Sequence, residues 1–102
     1  MLSYLPYLLT TIGVELAVVA LLARLAGRPI PWVDVLVLNL LTHPIATAVY
    51  QSGLAGFWTV ETGVVLAEWA GYAWLTRVPG RTAFTWSAIA NGVTIALSFV
   101  LP

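Results

Sequence analysis

The chain has 102 residues, 61% of them hydrophobic and 8% charged, with four basic and four acidic side chains that cancel and a single histidine. At a mean hydropathy of +0.97, no soluble fold of this length could hide its apolar surface, so the composition predicts an integral membrane protein. The chain contains no cysteine, which excludes a disulfide framework and a thiolate metal site.

A helix needs about 20 apolar residues, at about 1.5 Å each, to cross a hydrocarbon core of about 30 Å. Four segments meet this description, and the first covers roughly residues 4–25. It carries Glu15 near its centre and has Arg24 and Arg28 behind it with no Lys or Arg ahead. That charge order is the reverse of a signal peptide, so the segment is expected to stay in the mature protein. The second covers roughly 32–50. Asp34, in its first turn, is favoured there by the helix dipole. Asn39 and His43 are four residues apart and share a face, with Thr42 beside them. Pro44 removes a backbone donor and frees the Leu40 carbonyl, which needs a partner or lines a cavity.

The third segment, roughly 56–76, carries Glu61 and Glu68 seven residues apart on one face; they would either form an acidic track from the outer surface to the midplane, or Glu61 would merely reach the outer interface. Gly63, Ala67 and Gly71 recur there every four residues. The fourth, roughly 83–101, carries Asn91 and a second stripe, Ala88, Gly92 and Ala96. Small residues at that spacing let helix backbones approach closely in lipid, so the third and fourth helices are expected to be in tight contact. The runs LAVVALLARLA and DVLVLNLL are continuously apolar rather than alternating, which argues against a transmembrane β-barrel.

Two of these segments repeat the other two. ELAVVALLARLAGR at 15–28 aligns with EWAGYAWLTRVPGR at 68–81, and after a shift of one residue Asn39-x-x-Thr42 aligns with Asn91-x-x-Thr94. The pairs Glu15/Glu68, Arg24/Arg77, Arg28/Arg81 and Asn39/Asn91 use every basic residue in the chain. The expected fold class is therefore an all-α polytopic membrane protein: one transmembrane domain over 1–102, its four helices forming two parallel-repeat hairpins, about 4–50 and about 56–101. Arg24, Arg28, Arg77 and Arg81 fall in the loops between helices 1 and 2 and between helices 3 and 4, and serve as interface anchors. The positive-inside rule makes those loops cytoplasmic and both termini external, in a multi-pass inner-membrane protein. Tyr4, Tyr7, Tyr50, Phe57 and Trp58 would ring the outer interface, with Trp32, Trp74, Phe84 and Trp86 at the inner one.

Counted from the segment centres, Glu15, Asn39, His43, Glu68 and Asn91 all fall within roughly 5 Å of the midplane and predict a polar layer. An ionised carboxylate there costs about 2.5 to 3.5 kcal/mol on insertion scales, so such residues usually face a protein interior and mark function. Glu15, Glu68, His43, Asn39, Asn91 and Glu61 are the ion, proton or ligand candidates. His43 would pair with Glu15 or Glu68. The same residues could instead hydrogen-bond across helices as structural glue, at about 1 kcal/mol per bond. With no H-E-x-x-H, no second His and no Glu-x-x-His pair, no metal or other cofactor is expected. No nucleophile motif marks a catalytic residue, so an enzyme is not expected, and without a Gly-rich phosphate loop or basic stripe neither is nucleotide or nucleic-acid binding.

The N-L-L-T-H-P of helix 2, the E-x6-E of helix 3 and the Asn of helix 4 resemble a group of small, uncharacterised four-helix bacterial inner-membrane proteins. That resemblance spans most of the chain and implies no particular activity. Length, helix number and the helix-1 Glu are also similar to small multidrug-resistance transporters, in which that Glu exchanges drug for proton. The match stops at Glu15: the Gly-rich, Trp-containing third helix of that family is not reproduced, and Glu68 and His43 are additional. Two functions follow as expectations. One is a small transport or ion- and proton-handling protein, embedded in the bilayer and homo-oligomeric. The other is a non-catalytic accessory or assembly subunit of a larger membrane complex.

Overall fold

Four runs of apolar residues, interrupted only by short joints rich in Gly, Pro and Arg, become four α-helices in a computed structural model that describes residues 4–100. They are α1 (Tyr4–Leu25), α2 (Trp32–Gln51), α3 (Phe57–Leu75) and α4 (Gly80–Val100). At about 1.5 Å per residue these are about 29–33 Å long. The long axis of the molecule is 39 Å. α4 begins at Gly80 rather than near 83, because Pro79 needs no amide partner and its carbonyl accepts the Ala83 N–H at 3.0 Å. As a result Arg81 lies in the first turn of α4 and Arg24 in the last turn of α1, while Arg28 and Arg77 remain in the joints.

The joints explain how the helices stop. After α1, Gly27 adopts φ 68°, and the Arg28 N–H reaches back to the Ala23 carbonyl at 2.9 Å. After α2, Gly53 adopts φ 79°, and the Leu54 N–H reaches Val49 at 3.3 Å. Both are Schellman caps, which use a left-handed residue to satisfy orphan carbonyls. After α3 the left-handed position is filled by Arg77 at φ 57°, where a side chain costs about 1–2 kcal/mol.

The helices form a closed ring in which α1 packs on α2, α2 on α3, α3 on α4 and α4 on α1. Among the described residues the backbones of the diagonal pairs, α1 with α3 and α2 with α4, do not approach. α3 and α4 make the most extensive contact, as expected, but not through the small-residue stripes. Gly63, Ala67, Gly92 and Ala96 are exposed, and a side chain added at Gly63 or Gly92 would meet nothing. Gly71 alone of the stripe glycines is closely approached, and its neighbour is Leu38 of α2. The α3–α4 seam is built instead from larger groups. Trp69 donates to the Gly80 carbonyl at 2.8 Å, Ser87 Oγ donates to the Val65 carbonyl at 2.7 Å, and Tyr72 meets Trp86 edge to face.

Leu25, Trp32, Val33, Leu41, Ile45, Leu54, Trp58, Trp74 and Phe99 are exposed, whereas Glu15, Asn39, His43, Glu68, Ser87 and Asn91 are buried. This distribution inverts that of a soluble domain. Three helices, over Leu8–Leu25, Trp32–Gln51 and Gly80–Val100, are long and apolar enough to cross a membrane. α3 falls short of that mark because Glu61, Glu68 and several Trp and Tyr residues dilute its aliphatic content. At one end Tyr50, Phe57, Trp58 and Phe99 cluster with centroid separations of 5.0–6.3 Å. Trp32, Trp74 and Phe84 are exposed as an interfacial residue requires, but Trp86 is buried, since it shares the inward face of α4 with Ala83 and Ala90. The Tyr4 and Tyr7 side chains lie outside the described residues, as do both chain ends.

Candidate functional site

Each helix contributes polar side chains to the axis of the ring because those residues recur at helical spacing on its inward face. On α1 these are Thr11 and Glu15, on α2 Asn39 and His43, on α3 Glu68 and Tyr72, and on α4 Ser87, Asn91 and Thr94. All five residues of the expected midplane layer are buried together. Glu15 and Glu68 come from the diagonal helices α1 and α3, and neither has any exposed surface.

The single imidazole lies between them. His43 Nε2 and Glu15 Oε2 share a hydrogen bond of 2.9 Å, and Glu68 Oε2 is 3.7 Å from the same nitrogen. One ligand atom from each of these three residues lies within 4.8 Å of the other two. The pairing left open by the sequence thus resolves as a bond to Glu15 with Glu68 close behind.

Glu68 is held on several sides. Asn91 Nδ2 donates to its Oε1 at 2.7 Å and, at 2.9 Å, to the Ser87 carbonyl one turn back. Thr42 Oγ1 lies 2.7 Å from Glu68 Oε2 and 2.8 Å from the Leu38 carbonyl. A hydroxyl has one proton and these are two acceptors. If Thr42 donates to the carboxylate, the Leu38 contact is released. If it donates to Leu38, the carboxyl group must itself carry a proton and donate to Thr42. The hydroxyl therefore adapts to either protonation state of Glu68 without a change of position.

Glu15 is treated differently. Among the described residues its Oε1 makes no hydrogen bond, and the same is true of Asn39 Oδ1, Asn91 Oδ1 and the Tyr72 hydroxyl. Asn39 Nδ2 donates to the Val35 carbonyl at 2.8 Å, matching the Asn91–Ser87 bond, but Asn39 does not go on to bond Glu15. Thr94, the counterpart of Thr42 in the sequence alignment, donates to the Ala90 carbonyl at 3.0 Å. The Tyr72 hydroxyl is a donor close to Asn39, which leaves Glu15 Oε1 and Asn91 Oδ1 as the buried acceptors that call for a donor or a cation.

Glu61, two turns from Glu68 on α3, is half-buried and stays outside this group. Asp34 is half-buried in the first turn of α2. All four arginines lie at the end of the bundle where α1 and α3 finish, and among the described residues none forms an ion pair. The two central carboxylates have no fixed positive countercharge.

Beside the centre, an apolar groove of about 390 Å³ runs between α2 and α3, bounded by Leu41, Ile45, Val49, Val60 and Gly63. Thr42 lines this groove and also touches Glu68. Sequence reasoning missed Thr11, Tyr72, Ser87 and Thr94 as members of the polar axis. The available signal was their spacing: Tyr72 is one turn from Glu68, Thr11 one turn from Glu15, and Ser87 and Thr94 one turn either side of Asn91. Glu15, His43 and Glu68 were named from the sequence, but their convergence as one three-ligand group was not, because motif spacing is read along one helix and these residues come from three.

Comparison of the chain with protein-family models, curated proteins and solved structures found no match.

Proposed function

We propose that the protein is a four-span membrane bundle that handles a small cation or proton at its Glu15–His43–Glu68 centre. The observation that carries this reading is the burial of two carboxylates around one imidazole with no arginine or lysine to balance them. Such a centre is costly in a low-dielectric interior, and a merely structural layer could use neutral amides and hydroxyls throughout. In this reading a proton or a cation taken up from outside supplies the charge balance.

The apolar exterior and polar axis support insertion. A soluble monomer rarely exposes an apolar patch beyond a few hundred square ångströms, whereas lipid accepts one. α3 crosses with the others in this reading because its acids face the axis and its length matches theirs. The repeated Glu and Asn positions, on opposite helices of the ring, support two parallel hairpins related by an axis along the bundle. The positive-inside rule then puts the four arginines in the cytoplasm. Because the chain has no cysteine, single cysteines introduced at Ser52 and at Ala26 report the two sides by impermeant labelling.

The test is flux in proteoliposomes. Wild type should carry protons or metal and alkali cations in a saturable manner, and Glu15→Gln and Glu68→Gln should abolish this while remaining helical and monodisperse. An inert wild type that co-purifies stoichiometrically with a large membrane partner would refute transport in favour of the accessory role.

A further inference from the structure

We propose that the ion taken by this centre is a divalent first-row transition-metal cation, Zn²⁺ foremost, bound by Glu15, His43 and Glu68. This rests on the cation-handling reading above and names its substrate class. Three features select the ion. The first is separation. Zinc takes nitrogen and oxygen ligands at about 2.0–2.2 Å, so tetrahedral ligand atoms lie about 3.3–3.6 Å apart. The two His43 separations, 2.9 and 3.7 Å, bracket that range. Seating the ion would part His43 from Glu15 by about half an ångström and draw Glu68 inward.

The second is donor type. A neutral imidazole between two carboxylates suits zinc and its neighbours, whereas calcium and magnesium prefer all-oxygen shells. The third is charge. Two carboxylates balance one divalent cation, with no basic side chain on the inward faces of α1, α2, α3 or α4 to compete. The titratable groups facing the centre are Glu15 from α1, His43 from α2, and Glu68 and Tyr72 from α3, with the half-buried Glu61 of α3 two turns away. The buried polar groups of α4 there, Ser87, Asn91 and Thr94, do not titrate.

An independent observation points to a ligand. Glu15 is fully buried, yet among the described residues its Oε1 makes no hydrogen bond. The carboxylate already bonds His43 through Oε2, so the free oxygen belongs to the same ligand group. Asn91 and Thr42 are the outer partners that orient Glu68, in the manner that metal-bound carboxylates are usually held.

The experiment titrates purified full-length protein in detergent with Co²⁺, whose visible absorption reports ligation, followed by Zn²⁺, Mg²⁺ and Ca²⁺ as competitors. The expected result is a spectrum that saturates at one Co²⁺ per chain, is displaced by equimolar Zn²⁺, and resists about a 100-fold excess of Mg²⁺ or Ca²⁺. Asn91→Ala should weaken binding by about 10–100-fold, and His43→Gln or Glu15→Gln by more. A wild-type protein with a helical circular dichroism spectrum but no Co²⁺ absorption overturns the proposal whatever the variants do. So does displacement by Ca²⁺ or Mg²⁺, or wild-type affinity in His43→Gln. The two readings fail separately. Glu15-dependent proton or alkali-ion flux without Co²⁺ binding overturns the metal and leaves cation handling intact. Saturable Co²⁺ binding without flux of any ion upholds the metal site and refutes transport.

Discussion

Asn91 and Asn39 occupy matching positions in the sequence, yet only Asn91 hydrogen-bonds a carboxylate, at 2.7 Å. A pair of double-mutant cycles measures that difference. The first combines Asn91→Ala with Glu68→Ala, and the second combines Asn39→Ala with Glu15→Ala. Side-chain hydrogen bonds between membrane helices average about 0.6 kcal/mol in such cycles and reach about 1.7. The Asn91 amide has two hydrogens, one for Glu68 and one for the Ser87 carbonyl, so the average applies, and a coupling of about 0.6 kcal/mol is roughly a factor of 3 in the unfolding constant. The second cycle should give a coupling near zero, because Asn39 makes no hydrogen bond to Glu15, which turns to His43 instead. The readout is reversible unfolding in mixed micelles, followed by circular dichroism. Equal couplings in the two cycles would refute the broken symmetry described above, and a null first cycle would refute the Asn91–Glu68 bond.

Three further outcomes are expected. Arg77→Gly should raise stability by about 0.5–1 kcal/mol, since relief of the left-handed strain of about 1–2 exceeds the entropic cost of glycine; an unchanged or lowered melting midpoint would count against that strain. Gly71→Ala should cost about 1–3 kcal/mol through its collision with Leu38. Gly63→Ala, on the open side of the same helix, should instead gain about 0.5–1 kcal/mol from helix propensity; the same melting comparison checks both, and a reversed order would refute the packing. Thr42→Val should leave α2 intact but slow the flux proposed above, because Glu68 loses the hydroxyl that serves it in both protonation states; flux at the wild-type rate in liposomes would remove Thr42 from the mechanism.

Much of this fold was legible because lipid-length helices leave few alternatives. Residues 4–25 became α1 and 32–50 became α2 with almost no adjustment. The inward set Glu15, Asn39, His43, Glu68 and Asn91 was legible for a related reason, since polar residues this rare in apolar helices have only one place to go. Partner choice was another matter. Periodicity establishes that Gly63, Ala67 and Gly71 share a face, but not which neighbour that face meets, and here Gly71 meets α2. Trp86 was misread as interfacial because tryptophan is favoured both at membrane surfaces and against another ring, and Tyr72 settled the choice. The approach of His43 to both carboxylates depends on how three helices converge, and that information is in no single segment.

The closed ring has a further consequence through its numbers. Two identical hairpins joined about a two-fold axis could offer their side chains only in even counts, two imidazoles or none. One imidazole between two carboxylates is an odd stoichiometry, available only when two unlike hairpins are carried on a single chain. His43, with Ile95 in the corresponding place on α4, is thus the residue that makes the covalent link between the halves consequential, since neither half assembled with its own copy could rebuild the centre.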